Sequence, residues 1–418
     1  MAIKLESEVK EDVPEERDEK ESIFRIKKKR INWIDQARGL VMFILVVTAL
    51  LPSIIRVGDL WPGFKWFTDF IFDHPPHEYA LDKLHATPYM NLFDVGVPAF
   101  FFIIGLLMAV SFNKRLERHG TKAALLNALI RWGLISVVGI LFMIIPTVIS
   151  GGDDYFGKMD EVAPGVYWFV VKWDVVIALG VVGLGCIPFL FLSTKARLII
   201  SYAMMIFYQV MLFIPETLWR AYAQQSVHGG ILGGIFILIP ITLIASTIGD
   251  YYILQKEKSD KEKNKLLIIL GIVNLAIGIG LWLIPYGYPN KRQSTMSWAT
   301  ISLAVCIFVA LLLIKADYKD ENFDKLHALN KGRIVLFKSY GMNPLLIYAI
   351  VEISRILIEE LVGTDEFIQF LQLIILMPAI TIIAYLLYRY KKAISTTKVA
   401  VGIIVIVIAL AIILIPFL

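Results

Sequence analysis

Apolar blocks of about 20 residues recur from residue 33 to the C-terminus, and that length is what a helix needs to cross roughly 30 Å of hydrocarbon. Inside a bilayer no water is present to pair with the backbone, so such blocks are read as helices. Composition supports the pattern: 57% of the residues are hydrophobic, 18% are charged, and the mean hydropathy is +0.69. Ordinary soluble domains run at about 45–50% apolar and about 25% charged. Spread evenly, the excess would only enlarge a core. Gathered into blocks, it specifies a membrane. The blocks fall at 33–56, 90–113, 123–150, 167–193, 197–216, 229–254, 265–287, 296–315, 336–361, 367–388 and 396–418. The expectation is an all-α, polytopic transmembrane helix bundle of about eleven spans.

Charge sets the orientation of that bundle, because Lys and Arg near span ends collect on the cytoplasmic side. With the N-terminus in the cytoplasm, the inner connections hold Lys114, Arg115, Arg118 and Lys122, then Lys195 and Arg197, then five lysines from Lys256 to Lys265. They continue with Lys315, Lys319, Lys325, Lys331 and Arg333, and with Arg389, Lys391 and Lys392. The outer connection 151–166 carries Asp153, Asp154, Asp160 and Glu161. Arg56, Lys65, Lys83, Lys158, Arg220, Lys291 and Arg292 run against the trend, which still places the C-terminus outside. The net charge of +5 therefore reports topology, not nucleic-acid binding. Residues 1–30 read as a disordered cytoplasmic tail ending in a basic cluster, too polar for a cleavable signal peptide. Residues 31–418 read as one transmembrane domain, since the longest polar connections, near 57–89 and 316–335, are too short for a soluble catalytic domain. Cys186 and Cys306 both lie inside apolar blocks and give neither a disulfide framework nor a zinc motif.

Any chemistry must then sit in the bundle or on its loops. The outer loop 57–89 contains His74, His77 and His85, with Leu60, Phe64, Phe67 and Ile71 at the spacing of an amphipathic interfacial helix. Asp94 stands at the mouth of the second span, where a carboxylate is expensive to bury unless paired. Paired with an imidazole, it would hold one ring nitrogen and leave the other free to take a proton; alternatively it caps the helix. At the opposite face Asp35 and Arg38 are neighbours on one helix face, either as a structural pair or, with Arg131, as an anion site. Asn343, between Gly341 and Pro344, either faces a cavity or satisfies a carbonyl freed by the proline. Glu352 with Arg355, and Lys172 with Asp174, read as buried pairs. His74, His77, Asp82 and His85 do not have the spacing of a helical metal motif, and no metal is expected.

Four stretches together resemble the heparan-alpha-glucosaminide N-acetyltransferase family of transmembrane acyltransferases and their prokaryotic relatives. The first is Arg30-Ile-Asn-Trp-Ile-Asp35-Gln-Ala-Arg38-Gly39-Leu, similar to the family's Arg-x-x-x-x-Asp-x-x-Arg-Gly opening. The second is His85-Ala followed by Asp94-Val-Gly-Val-Pro98-Ala-Phe-Phe-Phe-Ile-Ile-Gly105. The third is Gly230-Ile-Leu-Gly233, similar to a Glu-Gly-Ile-Leu-Gly start of a later span. The fourth joins Asn290-Lys291 and Ser297-Trp298 with Gly341-Met-Asn343. Relatives commonly carry an Asn where Thr48-Ala49 stands and Gln-Arg where Ile177-Ala178 aligns. A more distant family of membrane O-acyltransferases shares the Arg-Gly opening and expects a His near the end of the first span, where this chain has none.

The resemblance implies transfer of an acetyl or other acyl group from coenzyme A, held on the cytoplasmic side, to an amine or hydroxyl acceptor such as a sugar or envelope glycan outside. It implies His85 as catalytic residue, Asp94 as the group that orients it, and Arg38, Arg131 and Asn343 near the bound donor. Acetyl-CoA or another acyl-CoA is the expected donor substrate. The expected partners are the lipid bilayer, that small-molecule donor and an outer-face glycan, with a homodimer left open and nucleic acid excluded. The expected location is the plasma (cytoplasmic) membrane. The two departures keep a transporter or lipid-binding alternative open on the same scaffold, although no internal repeat of the transporter kind is visible.

Overall fold

A computed structural model describes residues 32–49, 90, 92–149, 157–163, 165–171, 174–214, 217–225, 227–255, 257–285, 287–319, 327–361 and 366–414. In chain order the main elements are α1 (Asn32–Ala49), α2 (Gly96–Ile149), β1 (Gly157–Ala163), β2 (Val166–Val171), α3 (Val175–Cys186) and α4 (Thr194–Phe213). They continue with α5 (Trp219–Gln224), α6 (Gly230–Leu254), α7 (Asp260–Trp282), α8 (Met296–Lys319) and α9 (His327–Met342). The last three are α10 (Pro344–Leu361), α11 (Glu366–Arg389) and α12 (Thr396–Leu414).

Local chemistry explains where these elements start and stop. Ser193 precedes α4 and accepts a hydrogen bond from the Ala196 amide at 3.3 Å, and Ser259 with Glu262 makes a reciprocal capping box before α7. The second and third expected spans form one long element. Only Gly120, at φ 77° and ψ 173°, leaves helical geometry, so α2 consists of two limbs, 96–119 and 121–149, joined at a residue free to adopt that backbone. The expected span 336–361 is broken instead: Asn343 leaves the helix and Pro344 starts α10, because a proline suits the first turn and disrupts an interior one. The expected fourth span also starts late. Residues 157–171 form an antiparallel hairpin with Gly165 in the turn at φ 72°, and α3 begins at Val175. Val166 to Val171 is β-branched and aromatic, and such a run reads equally as helix or strand when only its hydrophobicity is considered.

Five described helices are long and apolar enough to cross a membrane: Gly96–Ile144, Thr194–Phe213, Gly230–Leu254, Asp260–Trp282 and Met296–Lys315. Shorter apolar helices include Val175–Phe191, Ile374–Arg389 and Thr396–Ile406. The described chain is thus predominantly helical, in keeping with an integral membrane protein. Helices approach closely where small residues meet backbone. A Cβ on Gly39 would collide with the Phe337 carbonyl, one on Gly105 with the Thr242 carbonyl, and one on Gly249 with the Leu106 carbonyl. Without a hydrophobic drive between helices in lipid, such close contact is what holds a membrane bundle together. The first limb of α2 packs along α6 through Gly105 and Gly249, and the second packs along α3. By contrast α7 turns Ile268, Ile269, Ile272, Val273 and Ile279 outward.

This arrangement gives the bundle two polar ends. One holds Asp94, the starts of α2, α6 and α8, and the 157–171 hairpin, which packs beside α5 and the first turn of α6. The other holds the Gly120 break with Lys114, Arg115, Arg118 and Lys122. Gly96 and Arg115 lie in one limb, which puts about 28 Å between the two ends at about 1.5 Å per residue.

Candidate functional site

At the Asp94 end a short turn, Leu92–Val95, leads into α2 and buries Asp94 to 6% exposure. Its carboxylate lies 3.6 Å from the Lys291 ammonium, and its backbone carbonyl accepts a hydrogen bond from the Trp298 indole N–H at 3.0 Å. Lys291 comes from the connection between α7 and α8 and Trp298 from the first turn of α8, and side chains of the connection fold it into a compact turn. Thr295 Oγ1 donates to the Tyr288 carbonyl at 3.0 Å and accepts from the Asn290 amide at 2.9 Å; Asn290 Oδ1 accepts from the Gln293 amide at 2.9 Å. From α4, Tyr208 donates its hydroxyl to the Gln293 carbonyl at 2.7 Å, and Gln209 Oε1 accepts from the Met296 amide at 2.8 Å.

His228 closes this cluster. Its ring stacks on Trp298 with centroids 6.0 Å apart and an interplanar angle of 15°, in a turn that adopts left-handed geometry at φ 54°. Gly229 and Gly230 follow at φ 70° and 56°, and Gly229 donates its amide to the Arg292 carbonyl at 2.6 Å. Ser294 is also left-handed, at φ 52°. Two non-glycine residues in this region cost backbone strain, which persists only where surrounding contacts over-determine it and which gathers at functional sites. His228 lies just before the apolar stretch of α6. Burial, reinforced by the positive Lys291, pushes its pKa down from the ordinary 6.5 to about 3, so its imidazole is neutral at physiological pH.

Several polar atoms here have no hydrogen-bond partner among the described residues: His228 Nδ1, Gln209 Nε2, Gln293 Nε2 and Ser294 Oγ. Three helix N-termini, of α2, α6 and α8, converge on the same cluster. Their dipoles favour negative charge. Among the described residues the arrangement is rich in donors and holds the Asp94 carboxylate and the neutral His228 imidazole, a combination that can polarise a carbonyl and stabilise a developing oxyanion.

At the Gly120 end the positive charge comes from arginine side chains. Arg38 pairs with Asp35 at 3.6 Å and reaches the Gly341 carbonyl at 3.4 Å. Arg131 lies over the Trp132 ring at 4.9 Å, feels the charges of Arg38 and Arg115, and leaves its Nε without a partner among the described residues. Deeper in the bundle Arg197 is buried against Asp250 and donates to Ser246 Oγ at 2.6 Å. Arg38 and Arg197 thus have carboxylate partners, whereas Arg131 stands beside the positive Arg38 and Arg115, a setting that favours an added anion.

The structure therefore brings Asp94 into a dense polar cluster and places Arg38 near Arg131, while His85 and the other histidines of loop 57–89 lie outside the described residues, as do Asp82, Lys172 and the tail 1–30. Asn343 is structural. Its Nδ2 donates to the Lys392 carbonyl at 2.9 Å and its Oδ1 accepts from the Ile394 amide at 2.8 Å, which staples the turn after α11. Sequence reasoning missed His228, Gln293 and Ser294. A histidine before two glycines was the available sign of a left-handed turn, and the stretch after Lys291 carried no apolar periodicity to draw attention to it.

A family model described as an acyltransferase domain matches residues 31–389. No curated protein matches the chain.

Proposed function

This chain belongs to the acyltransferase domain family as a membrane-embedded enzyme, and we propose that it moves an acetyl or other acyl group from coenzyme A to an amine or hydroxyl acceptor across the bilayer. The observation that carries the reading is the pair of polar ends on one bundle, about 28 Å apart along a single helical limb of α2. The arginine end, with Arg38 and Arg131, suits the phosphates of coenzyme A, and the Asp94 end suits the reacting carbonyl. In this reading the N-terminus and the arginine end face the cytoplasm, the Asp94 end faces outward, and the membrane is the plasma membrane. The described basic residues Lys114, Arg115, Arg118, Lys122, Lys258, Lys261 and Lys265 flank helix ends expected inside, which supports the orientation.

The chemistry follows from these positions. In the reaction that the family likeness implies, the acceptor nitrogen or oxygen attacks the acyl carbonyl and its proton passes to the imidazole of His85, with Asp94 as the carboxylate that would orient it. The carbon–sulfur bond then breaks and the thiolate of coenzyme A leaves. The positive ends of α2 and α8 stabilise the oxyanion as it forms. Asn343 fixes the turn beside the donor end. The likeness to the heparan-alpha-glucosaminide N-acetyltransferases supports a sugar or envelope glycan as acceptor.

The test is acetyl-CoA binding and acyl transfer by detergent-purified protein. His85→Ala is expected to abolish transfer while leaving donor binding intact. Arg131→Gln is expected to weaken donor binding by about 10-fold or more, the worth of one charge-assisted phosphate contact. Absence of acetyl-CoA binding at millimolar concentration would overturn the reading in favour of a transporter or lipid-binding protein.

A further inference from the structure

We propose that the Asp94 end contains an anion subsite, formed by the Asn290–Met296 turn and the first turn of α6, that holds a phosphate or carboxylate group carried by the acceptor; the assignment to the acceptor rests on the acyltransferase reading. The subsite is built from donors that the fold leaves unused. Within the turn Asn290 and Thr295 find partners, as do Tyr208 and the Gln209 carbonyl oxygen that reach it from α4. The atoms left over are the Gln209 and Gln293 amide nitrogens and the Ser294 hydroxyl, all able to donate. A buried donor without an acceptor is destabilising, so three of them around one turn call for a group rich in acceptor oxygens.

Helix geometry points to the same group. Gly229 precedes α6 and offers no side chain to cap it, so the positive end of the helix dipole faces this turn without a capping oxygen from residue 229. Ser294 is fully buried and its Cβ lies 3.2 Å from the point a Cβ on Gly233 would occupy, which sets the unpaired hydroxyl against that turn. The starts of α2 and α8 add their dipoles. Lys291, whose side chain is 27% exposed, and the exposed Arg292 bring two positive charges to the rim beside the buried carboxylate of Asp94. The neutral His228 adds an imidazole with an unbonded Nδ1 and no further charge. An oxyanion placed between Lys291, Ser294 and the first turn of α6 would therefore satisfy unpaired donors and meet the positive rim at once.

The experiment is calorimetric titration of inorganic phosphate, and separately acetate, into the detergent-purified full chain, with acetyl-CoA titrated into the same preparations. Saturable binding is expected, weakened about 10-fold or more by Lys291→Gln and several-fold by Ser294→Gly, retained by Lys291→Arg, and unaltered by Arg131→Gln. Glycine is chosen at 294 because it accepts the left-handed backbone there, so loss of the hydroxyl is read without added strain. Phosphate and acetate binding lost in Arg131→Gln and kept in Lys291→Gln and Ser294→Gly would place the anion at the donor end and overturn the proposal. So would the absence of binding in the unmodified protein. If acetyl-CoA binds while neither anion does, the subsite falls and the acyltransferase reading stands. If an anion binds at Lys291 while acetyl-CoA does not, the site stands and the transferase reading falls. An amino sugar phosphate compared with its unphosphorylated form completes the test: a lower KM for the phosphorylated sugar, lost in Lys291→Gln, assigns the subsite to the acceptor, and equal KM values overturn that assignment.

Discussion

His228 illustrates how burial decides the charge of a side chain that ordinarily titrates near neutrality. The folded protein holds its pKa near 3, whereas the unfolded chain returns it to about 6.5. Between those values the unfolded chain binds a proton that the folded one refuses, so stability from this residue is complete above pH 6.5 and falls as pH drops, by about 1.4 kcal/mol per pH unit. The thermal midpoint in detergent should fall more between pH 7.5 and pH 5 in the unmodified protein than in His228→Asn, which tolerates the left-handed backbone. Equal falls would trace the acid sensitivity to other groups. Asp94 was legible in the sequence because a carboxylate at the mouth of an apolar block stands out. The stacking of His228 on Trp298 was not, since seventy residues of chain and the whole of α7 separate them and no local pattern encodes that meeting.

Helices here were easier to read than the joints between them. Apolar length located α4, α6, α7, α8 and α11 closely, because a span has to match the hydrocarbon thickness whatever its neighbours are. Joints depend on single residues: Gly120 lets α2 turn without a loop, Asn343 and Pro344 divide one apolar block, and the 166–171 run becomes a strand through pairing with 157–163. Close crossings also rest on single residues. Gly39→Ala would drive a methyl into the Phe337 carbonyl, force α1 away from α9 and shift Arg38, which contacts Gly341. Overpacking of this kind costs about 1–3 kcal/mol, and a lower thermal midpoint with weaker acetyl-CoA binding is expected. Gly133→Ala, where a Cβ meets nothing within 4 Å, should leave both unchanged and serves as the matched control. A Gly39→Ala protein that melts and binds like the original would show that the α1–α9 crossing relaxes freely.

For the whole molecule, the apolar blocks announced a membrane protein, and the charge alternation supplied an orientation that impermeant reagents can check. Cys186 and Cys306 are both buried, so single cysteines introduced at exposed positions report on their own surroundings. Lys261→Cys should react with a membrane-impermeant maleimide only after the cell is opened, and Arg292→Cys should react on intact cells. The reverse pattern would invert the assignment of donor and acceptor ends. The outward face of α7 carries a different consequence, for how such chains diverge. Ile268, Ile269 and Ile272 stand exposed on the apolar face of a helix, where lipid demands oiliness and no particular shape. Over generations those sites are free to wander among isoleucine, leucine, valine and phenylalanine, whereas Gly39, Gly105 and Gly249 can hardly move at all. Distant cousins of this chain should therefore look unalike along their most hydrophobic stretches and agree at a scatter of glycines, which makes the smallest residues the steadiest landmarks for tracing its ancestry.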